Sequence, residues 1–274
     1  MLVVLRSDGT ALYSTEDLAL TIKKFADYPR LRRSIYVVDV RQSLHLQQTF
    51  AILKLWGFPQ AEKCHHLGYG FVSLPEGAMS ARKGRVILFK DVYDEAEKRA
   101  LAAMGERTPD MPGQQRKLIA RQIGLGALAY AMLSVDNNKD IVFDINEALS
   151  FDGRTGPYIQ NAYVRANSIL NKAGSIPVSA NYDYTLSNHE VQLIDMISRF
   201  PAIVQQAAEE YRPLVMATYA YELANTFHSF YHAVQVLKSD NEEIKPARLR
   251  LVAAARQTVS NALLLLGITA PEAM

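Results

Sequence analysis

The sequence predicts a chain of mixed class, an α/β segment followed by an all-α segment. Short β-branched runs alternate with helical periods over residues 1–90. From about residue 91 only helical periods recur, punctuated by proline and glycine. The composition, 49% apolar and 21% charged over 274 residues, is that of a globular protein long enough for two cores.

Leu2-Val3-Val4-Leu5 is a short strand candidate, and Arg6-Ser7-Asp8-Gly9-Thr10 is the turn that ends it. Ser14 or Thr15 is placed to cap the next helix, whose first turn carries Glu16 and Asp17 at the positive end of the helix dipole. Asp27-Tyr28-Pro29 stops it. The run Ser34-Ile35-Tyr36-Val37-Val38-Asp39-Val40 is nearly continuous in apolar residues, the pattern of a strand buried on both faces. A helix over 43–55 stops before Gly57, and 63–72 is a further strand. Alternation of this kind makes a parallel sheet, which binds ligands at the carboxyl ends of its strands, where Asp39, Arg41 and Gln42 fall.

The helical part begins with an amphipathic stretch over 91–103 and a linker over 108–113. A helix over 114–133 follows, in which Gly124 and Gly126 permit close packing. Residues 151–165 then read as a polar loop, a proline near the first helical position (Pro157) and a helix. That loop displays Arg154, Thr155 and Tyr158 together, as a base-stacking and phosphate-holding surface would. A turn between two bundle helices has the same spacing, and spacing alone favours it. Ser187-Asn188-His189-Glu190 has capping-box spacing, and Pro201 and Pro213 open two further helices. In the longer of these, Tyr219, Leu223, Phe227, Phe230, Val234 and Leu237 recur at helical steps and are read as core. His228 and His232 have the i, i+4 spacing of zinc ligands, but no third ligand is evident and no metal site is expected. The last helix opens at Pro246 and stops at Gly267. Its Arg248, Arg250 and Arg256 either follow nucleic-acid phosphates or solvate an outer face.

Several function classes fall away on composition. No apolar run reaches the ~20 residues that span a bilayer. The single cysteine, Cys64, allows no internal disulfide and no cysteine-based zinc cluster, which fits a reducing cytosol. The net charge of +2 is uneven: residues 1–90 hold 13 Lys/Arg against 7 Asp/Glu, and residues 91–274 hold 17 against 21. An acidic helical part weighs against a general nucleic-acid reader. The loop from Leu74 to Arg85 sets Arg82, Lys83 and Arg85 between glycines, either as a phosphate clamp or as a solvated loop. There is no Walker pattern and no GxGxxG.

RSDGTALYSTEDLAL, SIYVVDVRQSLHLQQTF, LPEGAMSARKG, FDGRTGPYIQNAYVRA and the ending LLLLGITAPEAM, in this order, resemble arginyl-tRNA synthetase, a class I enzyme. The resemblance runs through the whole chain but reaches only the carboxyl-terminal half of that family. It implies the carboxyl-terminal half of a Rossmann-type catalytic domain over 1–90. Over 91–274 it implies a helical connecting region and an anticodon-binding bundle of the DALR type, the bundle proper starting near 143. The implied activity is ATP-dependent attachment of L-arginine to tRNA(Arg), with Mg2+ accompanying ATP, in the cytoplasm and with no DNA or membrane partner.

The family residues carry over where this chain matches them. Tyr13, Asp17 and Gln42 match the arginine pocket. An ionised Asp17 would accept a forked pair of N–H bonds from the guanidinium and the Tyr13 phenol would add a directional contact. His45, Met79, Ser80, Arg82, Lys83 and Gly84 match the ATP site, with Arg82 and Lys83 stabilising charge on the α-phosphate during transfer. Arg154, Tyr158, Asn161, Arg165, Tyr231 and Arg248 are the expected tRNA contacts. Ala78, Ala81, Asp39, Arg41, Glu16 and Asn161 depart from the usual pattern, and the chain lacks the HIGH tetrapeptide. The resemblance therefore implies the carboxyl-terminal piece of a split or truncated enzyme, which does not activate arginine alone; in the split case its partner is a separate chain carrying the HIGH-bearing half. A non-catalytic tRNA-binding adaptor derived from the same family is the alternative.

Overall fold

A computed structural model describes residues 3–73, 88–107, 111–238 and 242–274. The chain packs as two units, residues 1–71 with 137–140, and residues 72–136 with 141–274.

In the first unit, helix α1 (Tyr13–Asp27) leads to strand β1 (Ser34–Asp39), a 3-10 turn (Val40–Gln42), helix α2 (Ser43–Leu55), a second 3-10 turn (Ala61–Lys63) and strand β2 (Cys64–Tyr69). β1 and β2 pair in parallel from Ser34↔Cys64 to Asp39↔Tyr69, as the alternation predicts. Leu18, Leu53 and Ala61 form the buried centre, with Phe50 and Phe58 against them. Three local expectations need correction. Of the segment expected as a strand at 2–5, the described residues 3–5 make only an isolated antiparallel bridge, Leu5 to Ala11, across the turn. Leu12, not Ser14 or Thr15, occupies the N-cap of α1 and makes no side-chain cap. The two hydroxyls instead donate to the carbonyls of Val3 and Val4, the latter also accepting from Leu12 N at 3.2 Å.

The third correction concerns β1, which is covered on one face. Tyr36 points toward the helices, its ring 5.3 Å from that of Phe50 and its hydroxyl 2.5 Å from Thr21 Oγ1. Ile35 and Val37, on the opposite face by strand alternation, are 44% and 59% exposed. A near-continuous apolar run thus reports a strand made to be buried twice, while the described part of this unit buries it once.

The second unit opens with β3 (Val72–Ser73), which pairs in parallel with β4 (Ile141–Val142). Helices α3 (Phe89–Arg107) and α4 (Gly113–Leu133) pack as a pair around Ala100, Met104, Ile119 and Ile123. The short α5 (Ile145–Ala148) precedes α6 (Gly156–Ala173), α7 (Asn188–Ser198), α8 (Phe200–Glu210), α9 (Pro213–Ala233) and α10 (Lys245–Leu265). Local signals account for these starts. Thr155 caps α6 by accepting from Tyr158 N, with Pro157 in the first turn, and Ser187 with Glu190 forms the capping box of α7. Tyr219, Leu223, Phe227 and Phe230 are each 2% exposed or less, so the stripe on α9 is core. Ile159, Ala162 and Ala166 of α6 and Val252, Ala255 and Val259 of α10 close on it.

One contact sets the depth of α6 in the bundle. A Cβ at Gly156 would sit 2.3 Å from the carbonyl oxygen of Gly126, so the two backbones touch. Gln160, fully buried one turn on, donates to the carbonyls of Gln122 and Thr269 and so keys α6 to α4 and to the tail after α10. No helix among the described residues is long and apolar enough to cross a membrane.

Candidate functional site

In the first unit, the head of α1 sets Tyr13 and Asp17 one turn apart, and the first turn of α2 brings His45 to them. His45 Nε2 lies 2.6 Å from Asp17 Oδ2, and the Tyr13 ring lies 5.1 Å from the His45 ring at a 30° tilt. Tyr13 is 62% exposed, whereas the Asp17 and His45 side chains are only 18% and 23% exposed. A partly desolvated carboxylate beside an exposed phenol is a receptor for a cationic, hydrogen-bonding head group. Gln42, the third expected member, stands exposed before α2 with no hydrogen bond to these side chains.

Asp39 and Arg41, read separately as departures at the strand end, form one unit. Arg41 donates from Nε and Nη2 to the two Asp39 oxygens at 3.0 and 2.9 Å, and its backbone N–H donates to Oδ1 at 2.7 Å. The guanidinium lies 3.7 Å over the ring of Phe71. These bonds, the Arg41 side chain first, hold the Asp39 carboxyl below the usual carboxylate range. The two changed charges thus cancel at the carboxyl end of β1. Met79, Ser80, Arg82, Lys83 and Gly84, with the changed Ala78 and Ala81, lie outside the described residues.

In the second unit, α6 and α9 build a ladder of aromatic and cationic groups. The Arg154 guanidinium lies 5.0 Å over the Tyr221 ring, and Tyr221 lies 5.5 Å from Tyr158. Tyr158 meets His228 edge-on at 4.8 Å and donates its hydroxyl to Asn225 Oδ1. Arg165 Nη1 lies 3.1 Å from His228 Nδ1 and 3.4 Å from His232 Nε2, and its guanidinium lies 5.2 Å over the Tyr231 ring. Burial, then the adjacent Arg165 charge, pushes His228 down to about 4. A neutral His228 accepts from Arg165 at Nδ1 and donates from Nε2 to the Tyr158 carbonyl, so it fixes both neighbours. A hollow of about 260 Å³ beside Tyr231 is lined by Arg165, Lys172 and Lys238 as well.

Arg154, Tyr158, Arg165 and Tyr231 are therefore brought together, and half-buried Asn161 joins none of them. Tyr221, Asn225, His228 and His232 were missed as site residues. Their steps of 4, 3 and 4 make a second stripe on α9, beside the core stripe, and that was the signal available. Arg248 needs correction. It donates from Nε to fully buried Glu190 at 3.0 Å, so its charge is spent inside the bundle and not on an exposed phosphate surface. Arg250 and Arg256 are likewise engaged, with the carbonyls of Pro177 and Val178 and with Asn167 Oδ1. No group of acidic, histidine or cysteine side chains among the described residues is arranged to hold a metal ion.

A partial α/β layer followed by a helical bundle with cations on aromatic rings has the build of a class I aminoacyl-tRNA synthetase. Residues 1–145 match the family described as tRNA synthetases class I (R), catalytic domain, and residues 159–274 match the DALR anticodon binding domain. The chain belongs to the arginyl-tRNA synthetase family. It is 40% identical to the arginine–tRNA ligase of Bdellovibrio bacteriovorus over 99% of its own length and 47% of the relative's. For that of Clostridium botulinum strain Alaska E43 the values are 37%, 99% and 48%. Among solved structures it resembles Thermus thermophilus arginyl-tRNA synthetase with a TM-score of 0.90 and 36% identity, covering 100% of this chain and 51% of that one. The Plasmodium falciparum enzyme aligns with a TM-score of 0.77 at 26% identity, over 99% of this chain and 46% of that one. The chain spans about half the length of the curated relatives it matches.

Proposed function

We propose that this chain is the carboxyl-terminal portion of an arginine–tRNA ligase that acts with a HIGH-bearing half supplied by a separate chain. The observation that carries this reading is Asp17 and Tyr13 side by side at the head of α1, a receptor suited to a guanidinium. In the joined enzyme the arginine carboxylate attacks the α-phosphorus of ATP, with Mg2+ accompanying the nucleotide, and pyrophosphate leaves. The terminal ribose hydroxyl of tRNA(Arg) then attacks the adenylate carbonyl and AMP leaves. Tyr13, Asp17 and Gln42 take arginine, and His45, Met79, Ser80, Arg82, Lys83 and Gly84 belong to the ATP side. Arg154, Tyr158, Asn161, Arg165 and Tyr231 contact tRNA, with residues 1–90 as the catalytic part and the helical part from 91. The exposed Ile35–Val37 face supports a further layer over this sheet, because parallel sheets are covered on both faces.

One observation favours the adaptor reading. Arg41, clamped on Asp39 and laid over Phe71, fills the carboxyl end of β1, where an open sheet takes its ligand. Aminoacylation separates the two readings. The chain mixed with the amino-terminal half of the Bdellovibrio bacteriovorus ligase is expected to charge tRNA(Arg) with labelled arginine, and neither piece alone to do so. Adenylate formation by the chain alone would remove the need for a second half. Selective tRNA(Arg) binding without charging by the mixture would favour the adaptor.

The tRNA surface is tested separately. Tyr231→Ala is expected to weaken tRNA(Arg) binding by about 1–3 kcal/mol at fixed salt, the worth of one base stacked on a ring. Tyr231 is 39% exposed, so the thermal melting of the variant should stay close to that of the parent. Electrophoretic mobility with a non-cognate tRNA competitor reads the effect, and unchanged affinity would take Tyr231 out of the interface.

A further inference from the structure

The contact between His45 and Asp17 changes how the receptor at the head of α1 takes a guanidinium. Each oxygen of an ionised carboxylate has two lone pairs, so the protein can hold one oxygen and leave the group able to accept from a guanidinium. Here Oδ2 is already held by His45 Nε2 at 2.6 Å, a short bond between two side chains that are less than a quarter exposed. The same imidazole supports the Tyr13 ring at 5.1 Å. One side chain therefore holds both groups that face the head group, the acid by a hydrogen bond and the phenol by ring packing.

We propose that His45 is a positioning residue of the arginine site, holding Asp17 by Oδ2 and backing the Tyr13 ring so that the carboxylate and the phenol face the guanidinium together. This rests on the reading of Tyr13 and Asp17 as the arginine receptor, and gives His45, placed on the ATP side, a second role through its bond to Asp17. The geometry follows from donor and acceptor counting. With one lone pair of Oδ2 taken by His45, the carboxylate keeps acceptor sites for the guanidinium N–H groups, and the phenol oxygen, one helical turn away, accepts another. The arrangement selects for a cation carrying several N–H groups. The neutral ureido group of L-citrulline offers similar N–H groups without the charge, and the lone ammonium of L-lysine offers charge without the planar spread.

The test is ligand binding by the full chain, followed by saturation-transfer NMR with L-arginine, L-citrulline and L-lysine. His45→Ala is expected to bind L-arginine about tenfold more weakly, as expected when a charge-assisted bond that orders the receptor is lost. His45→Gln places an amide N–H near the position of Nε2, and it is expected to recover most of the affinity. In the parent protein the His45 Nε2–H resonance is expected to persist at saturating L-arginine. If the parent binds no L-arginine, the reading of the receptor itself falls and this inference with it. If the parent binds and both variants bind equally well, only the role of His45 falls. Disappearance of the Nε2–H resonance on saturation would show that L-arginine displaces the imidazole from Asp17, and loss of binding in both folded variants would show that the hydrogen bond to Asp17 is not what His45 supplies; either would overturn the positioning role. Circular dichroism of each variant shows whether a loss reflects unfolding, and a folded His45→Gln that retains binding supports the proposal when His45→Ala binds more weakly or does not fold.

Discussion

Arg248→Ala is expected to cost about 3–5 kcal/mol of stability, because it leaves a buried carboxylate without its counter-charge. Glu190 is 0% exposed and accepts from Arg248 Nε at 3.0 Å, from Tyr184 OH at 3.1 Å, and from Ser187 N and Oγ at 2.8 and 2.7 Å. It therefore serves two structures at once, as the N3 partner of the α7 capping box and as the anchor of α10. Removing the guanidinium keeps the burial and deletes the compensation. For a unit of this size the loss should appear as a fall in Tm of roughly 10 °C. The double variant Glu190→Gln/Arg248→Met removes both charges and should recover much of that loss, which separates an uncompensated charge from lost packing. A melting curve unchanged by Arg248→Ala would mean that water replaces the guanidinium.

Acidification should weaken the same unit in two stages. Burial, then the Arg165 charge, depresses His228 to about 4, whereas an unfolded histidine takes up its proton near pH 6.5. The unfolded chain thus binds more protons between these values, and stability declines as pH falls from about 6.5 toward 4. For Glu190, burial raises the pKa, but the Ser187 and Arg248 bonds together outweigh it and the net shift is downward. Its contribution is complete above the unfolded glutamate value of about 4.3 and is lost as pH falls through the lower folded value. Denaturant unfolding at a series of pH values should show the first stage disappear in His228→Gln while the second remains.

Gly156→Ala is expected to cost about 3 kcal/mol, at the upper end for overpacking. The new Cβ would meet the carbonyl oxygen and carbon of Gly126 at 2.3 and 2.6 Å, and a buried helix backbone has no rotamer with which to yield. Relief would require α6 to rise off α4. That would stretch the Gln160 bonds to Gln122 and Thr269 and shift Tyr158 and Arg165, which ride on the same helix. Under the proposed reading of that surface, loss of tRNA affinity should therefore accompany the loss of stability. Gly105→Ala is the control. It lies within α3 with nothing inside 4 Å of the added carbon, and it should stabilise by about 0.5–1 kcal/mol. Equal melting temperatures for Gly156→Ala and the parent would show that the two backbones part easily.

The order of elements, the parallel strand pair, the proline start of α6, the capping box of α7 and the core stripe of α9 were legible in the residues alone, whereas Thr155, read as displayed on the loop, is buried as the cap of α6. Each depends on neighbours within about a turn or on a period within one element, and linear spacing encodes both. The family was legible for a related reason: its motifs are contiguous strings. The exposed face of β1 was not legible, because a strand's composition states how much burial it suits and leaves open what covers it. Nor were the pairings that decide the sites. Asp17 with His45, Arg165 with His228, Glu190 with Arg248, and Gly126 with Gly156 join residues 28 to 63 positions apart. By itself the sequence determined which groups this protein carries and on which helical or strand face each lies. Tertiary packing decided which of them meet, and hence that Arg248 is a structural cation while Arg165 faces the aromatic ladder. The reason is that a side chain's charge is local to its residue, whereas its hydrogen-bond partner and its exposure depend on how separate elements pack.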